Sequence, residues 1–144
     1  MNQILVIQGL GMETRGKTQI DIFGPMTLAE YDQKVREFAI ELRLSVEIFH
    51  SNVEQEIIDK INAAQRGGVA GALINPAGYT RGHPALVAAI AEASFPIIEV
   101  HVSNPARRGN VSEVAPACQG TVAGFGVDGY FLALQGLQRR IAAV

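Results

Sequence analysis

In FPIIEVHVSN, residues 95–104, Ile98, Val100 and Val102 alternate with Glu99, His101 and Ser103. Successive side chains of a strand point to opposite faces, so the segment predicts a strand with one apolar face and one polar row of acid, imidazole and hydroxyl. Its start, from Phe95 to Ile98, reads as buried. A polar row ending a buried strand points to something bound at that strand's carboxyl end.

Working outward, the same kind of apolar run recurs at Ile4–Ile7, SVEIFH (45–50), VAGALIN (69–75) and GTVAGFG (120–126), with PIIEVHV (96–102) fourth in order. Helical patterns fill the intervals. TLAEYDQKVREFAIELRL repeats apolar residues at spacings of three and four, with Thr27 and Glu30 forming a capping box. Asn52 is expected to cap the next helix, which runs to Ala64 and ends at Gly67 and Gly68. HPALVAAIAEA follows with Pro84 in its first turn, and DGYFLALQGLQRRIAAV closes the chain. Five strands alternating with helices predict a parallel sheet covered on both faces. At 144 residues this is one domain, 1–144, with a flavodoxin-like three-layer α/β sandwich and strand order 2-1-3-4-5. Ligands in such sheets bind beyond the strands' carboxyl ends, where the strand order reverses. Those ends are Gln8–Gly9, Asn75–Thr80 and His101–Asn104.

Composition narrows the function. A net charge of -2 gives no general attraction to nucleic acid or an anionic membrane. No apolar run reaches the roughly 20 residues that span a bilayer, and MNQILVIQGL reads as a first strand rather than a signal peptide. The expected compartment is the cytoplasm. Cys118 is a lone cysteine and reads as a small buried residue. His50, His83 and His101 lack the spacing of a metal pair, so no metal or cofactor is expected. The absence of GxSxG argues against a serine hydrolase.

Candidate chemistry gathers at the predicted crevice. Asn75 ends strand three, and INPAGYT then turns closely past any ligand at Ala77–Gly78; the carboxamide either holds a polar ligand atom or closes its own turn. His101 and Ser103 face the crevice, with Glu99 deeper in the strand, either orienting the imidazole or binding a neighbouring chain. The loop GLGMETRGKTQIDIFGPM is long enough to be a lid and offers Glu13, Arg15, Lys17 and Asp21. Arg107 and Arg108 suit a carboxylate or form surface ion pairs.

With these segments in place, the chain resembles the type II 3-dehydroquinate dehydratases nearly from end to end. The matching stretches are ILVIQGLG, FGPMTLAE, HSNVEQEIIDKI, INPAGYT, ALVAAI, PIIEVHVSN and GFGVDGY. The resemblance implies the flavodoxin-like fold and a homo-oligomer, a dodecamer built as a tetramer of trimers. It also implies anti elimination of water from 3-dehydroquinate through an enolate. In the family, the backbone near Val102 and Ser103 grips the substrate carboxylate, His101 contacts a ring hydroxyl and Asn75 places a water. The proton-transfer positions depart from the family pattern. Phe23 stands where the family has its tyrosine base, and Arg81 where it has its general-acid histidine. Gly11, Thr18 and Ala88 replace an asparagine, an arginine and an aspartate.

These departures yield an expectation of a lyase-type enzyme with an altered site, acting on a small polar carbonyl or carboxylate compound. Asn75, Arg81, Glu99 and His101 are the catalytic candidates; Gly78, Val102, Ser103, Arg107 and Arg108 bind substrate. Glu13, Arg15, Lys17 and Phe23 belong to the lid, and His83 or a lid residue carries the missing proton. The alternatives are a true dehydratase compensated by Arg15, Lys17 or Glu13, and a noncatalytic ligand-binding or assembly homologue.

Overall fold

The computed structural model describes residues 2–142. Its five strands are β1 (Gln3–Leu10), β2 (Ser45–His50), β3 (Gly71–Ala77), β4 (Ile97–His101) and β5 (Gly120–Ala123). All neighbours pair in parallel, in the order β2-β1-β3-β4-β5. The predicted sandwich and strand order are therefore those observed. Helices α2 (Leu28–Leu42) and α5 (Asp128–Ala142) cover one face; α3 (Glu54–Arg66) and α4 (Pro84–Glu92) cover the other. A short helix, α1 (Ile20–Phe23), lies in the first long connection.

Coverage on both faces explains the apolar run at the start of the chain. Ile4, Leu5, Val6 and Ile7 are all fully buried; Ile4 and Val6 join the α2/α5 core, Leu5 and Ile7 the α3/α4 core. Burial of each such side chain favours the fold by about 1.5–3 kcal/mol. The alternation in β4 behaves in the same way: Ile98, Val100 and Val102 pack toward α2 and α5, while Glu99 and His101 face the other side. The capping box of α2 is formed, with the Thr27 hydroxyl accepting from the Glu30 amide at 3.2 Å and the Thr27 amide donating to the Glu30 carboxylate at 3.0 Å.

Several expected boundaries are corrected. β1 continues past Ile7 to Leu10, and β4 ends at His101, leaving Val102 and Ser103 in the following turn. Asn52 does not cap α3. Val53 occupies that position, and Ser51 meets the local need by accepting from the Val53 amide and donating to Glu56. Asn52 instead accepts from the Gly11 amide at 2.9 Å and donates to Glu13 at 3.0 Å, tying the root of the long loop to β2. That loop is not irregular throughout: a 3-10 turn spans Met12–Thr14, α1 follows, and Met12 is buried in the core. Residues 143 and 144 of the expected last helix lie outside the described residues.

Two backbone features shape the crevice. A Cβ on Gly9 would lie 2.2 Å from the Pro76 carbonyl oxygen, so only glycine lets β1 and β3 approach there. Ala77, two residues past Asn75, adopts φ 48° and ψ −119°, a conformation that costs an L-residue about 1–3 kcal/mol. That strain sits on the crevice wall.

Candidate active site

A cavity of about 440 Å³ opens at the carboxyl ends of β1, β3 and β4, where Leu10, Ala77 and His101 line it. The strand order reverses at this point, as the fold requires of a ligand site. Around it the chain assembles Arg15, Phe23, Gly78, Arg81, His101, Ser103 and Arg108 from the predicted set. Thr14, Gln19, Thr80 and Asn110 add polar groups that the sequence did not single out.

The polar row forms the floor. His101 is 8% exposed, and its Nε2 lies 3.0 Å from Oε2 of Glu99, which is 0% exposed. The angle of this contact falls short of a well-directed hydrogen bond. Glu99 does not touch the cavity. It accepts hydrogen bonds from Ser112 and, at 3.1 Å, from Thr121. Burial pushes the Glu99 carboxyl upward, but the contacts from His101, Ser112 and Thr121 outweigh it and hold the group below the usual carboxylate range. The pair is thus a buried carboxylate holding an imidazole at the cavity floor. The orienting role expected for Glu99 would act through this 3.0 Å approach.

Arginines dominate the walls. The Arg15 guanidinium carbon sits 3.6 Å from the centre of the Phe23 ring, and that of Arg108 lies 5.9 Å from the same ring. A cation over an aromatic face is attracted by the ring quadrupole. Phe23 is therefore a platform for guanidinium groups. Arg15 is 8% exposed and its Nε has no hydrogen-bond partner. Burial lowers its affinity for the proton, and Arg108 adds repulsion against the partial support of Tyr130 and Tyr31. Arg108 donates to the Ser103 hydroxyl at 3.2 Å, and Arg81 is steadied by the Val111 carbonyl, which accepts from its Nε at 3.3 Å.

Other candidates lie elsewhere. Asn75 is buried, but its amide donates at 3.0 Å to the Tyr130 hydroxyl, which donates at 2.7 Å to Gln8. Gln8 in turn donates to Asp32 at 3.1 Å, completing a polar chain between the sheet and helices α2 and α5. Asn75 thus stands outside the cavity lining. His83 is corrected as a proton carrier: its Nδ1 is 3.2 Å from Glu54, its ring meets Tyr79 edge-on at 4.8 Å, and it does not line the cavity. Glu13 lies 3.1 Å from His50, and Lys17 is exposed; neither lines the cavity. Val102 is buried in the core, and Arg107 borders a neighbouring depression with Asp21, Ser103 and Arg108. The partners of Glu99, Ser112 and Thr121, were missed because they arrive through tertiary folding. No local pattern announces them.

Fold and site together define a parallel α/β sandwich with a polar small-molecule pocket at its switch point. Residues 2–138 match the family model for dehydroquinase class II. A 3-dehydroquinate dehydratase of Campylobacter jejuni is 40% identical over 138 residues, covering 94% of this chain and 86% of that protein. Among crystal structures, the type II dehydroquinase from Butyrivibrio crossotus is 33% identical with a TM-score of 0.91, covering 95% of this chain and 97% of that one. The type II dehydroquinase from Propionibacterium acnes is 32% identical with a TM-score of 0.90, covering 96% and 97%. This chain belongs to the class II dehydroquinase family.

Proposed function

We propose that the chain is a lyase-type enzyme in which His101 carries the proton, acting on a small polar compound that bears a carbonyl or carboxylate group. The observation carrying this reading is the make-up of the cavity lining: among the described residues that form it, the titratable side chains are Arg15, Arg81, His101 and Arg108. Arginine stays charged under ordinary conditions, so the imidazole alone both takes and gives up a proton there. Phe23 supplies no hydroxyl. In this reading His101 removes a proton next to the substrate carbonyl, and the guanidinium groups stabilise the charge that develops on oxygen. The same imidazole returns the proton to the departing hydroxyl, which leaves as water. Glu99 keeps the ring in place for both transfers. Cytoplasmic location and a dodecamer of four trimers belong to the same proposal.

The experiment is solvent exchange. A panel of β-hydroxy ketones and β-hydroxy keto acids is incubated with the protein in heavy water, and deuterium gain beside the carbonyl is followed by NMR. Exchange of at least one compound, lost by a factor of ten or more in His101→Ala at unchanged melting temperature, is the expected result. Exchange that survives the substitution removes His101 from the role. A protein that binds members of the panel yet exchanges none is a binding homologue, the reading favoured by the missing phenol. Light scattering tests the assembly: a mass below that of the dodecamer at micromolar concentration contradicts it.

A further inference from the structure

We infer that the pocket is built for a ligand with two separate anionic groups, the second held by Arg81; this rests on the reading of the cavity as the substrate site. Three guanidinium groups enter one cavity of about 440 Å³, and no carboxylate lines it. Acids in the neighbouring segments lie outside the lining: Glu99 is behind His101, Glu13 meets His50, Asp21 borders the adjacent depression, and Glu113 accepts from the Gly82 amide at 2.8 Å. This concentration of positive charge occurs in a chain with a net charge of -2. It is local and directed.

The charges fall into two groups. Arg15 and Arg108 flank Phe23, with Ser103 bonded to Arg108. Arg81 is not part of that stack: it follows the strained Ala77 that ends β3, and its Nε is fixed by Val111. That anchor leaves its terminal nitrogens for a ligand. Arg15 adds the independent sign: a residue 8% exposed, with a buried and unpartnered Nε, lining the cavity beside a second arginine. A buried charge without a counterion is costly, and a bound anion offsets that cost. One carboxylate has two oxygens for three guanidinium groups that come from three different segments of the chain. Two carboxylates, or a carboxylate and a phosphate, supply acceptors for both sets.

Calorimetric titration of the full chain tests this at low and moderate salt. The probes are succinate, glutarate, malate and 3-phosphoglycerate, each set against butyrate, valerate or 3-hydroxybutyrate, with inorganic phosphate as a separate arm. At least one doubly anionic probe should bind ten-fold or more tighter than its single-anion partner, a ratio typical of an added charge-assisted contact. The advantage of the double anion over its single-anion partner should shrink with added salt and vanish in Arg81→Gln. A preference for 3-phosphoglycerate over the dicarboxylates assigns a phosphate to one group; tight binding of inorganic phosphate alone, unaffected by Arg81→Gln, overturns the two-group account. Equal binding of single and double anions, an undiminished preference in Arg81→Gln, or no binding at millimolar concentration also overturns it. Arg81 is exposed, so the variant is expected to fold, and its melting temperature verifies this. Failure here leaves the deuterium-exchange result for His101 standing, and the reverse also holds.

Discussion

Replacing Glu99 should damage stability far more than an ordinary surface acid would. The side chain is 0% exposed and contacts His101, Ser112 and Thr121, so solvent offers no substitute partners. Hydrogen bonds to a charged group each contribute about 1.5–3 kcal/mol, and Glu99 accepts such bonds from both Ser112 and Thr121. Glu99→Ala should therefore lose about 3–5 kcal/mol in urea unfolding followed by circular dichroism at neutral pH. Glu99→Gln keeps the shape and one acceptor, and should lose about 2 kcal/mol. The sign with pH follows from linkage. The folded-state carboxyl lies below its ordinary value, so its contribution is present above the unfolded-state value and fades as pH falls through the folded one. The gap between wild type and Glu99→Gln should thus narrow toward acid pH. A gap that stays constant with pH, or a loss below about 1 kcal/mol for Glu99→Ala, would refute the buried-carboxylate reasoning.

Asp32 carries the opposite sign. Burial raises its carboxyl against the lowering effect of Gln8, Arg36 and His50, so its contribution is lost as pH rises through the folded-state value. Asp32→Asn, which keeps an oxygen for Gln8, should be more stable than wild type at neutral pH, with the difference vanishing in acid; a less stable variant contradicts this. The Cys118 thiol is pushed up to about 12 by burial, with Glu99 adding to the effect. Iodoacetamide should label it slowly in the native protein at pH 8 and rapidly in urea; fast native labelling would show an accessible thiolate.

The readable parts of the molecule share a physical cause: a local period matched a local structure. The two-residue alternation of Glu99 and His101 against Ile98 and Val100 survives folding because strand geometry alone fixes it. Thr27 and Glu30 close a box within one helical turn, and the alternation of strands and helices predicts the parallel sheet. Asn75 was harder. Both faces of β3 are covered, so its apolar run does not tell which face the carboxamide joins; it turned toward Tyr130, 55 positions along the chain. Asn52 has the chemistry of a helix cap, but the Gly11 amide and Glu13 claimed it. Arg15 gave the least warning, because the long loop has no period from which to infer burial. Its stacking on Phe23 exists only once α1 folds back over the strand ends.

The cavity offers an imidazole among arginines, with Phe23 supplying a ring but no phenol. The most direct measurement is steady-state turnover of 3-dehydroquinate, the substrate named for the relatives, read from absorbance of the conjugated enone product. With Phe23 and Arg81 both lining the cavity, the purified protein should give no turnover above background at micromolar enzyme. Robust turnover would contradict this reading and return the chain to the chemistry of its relatives.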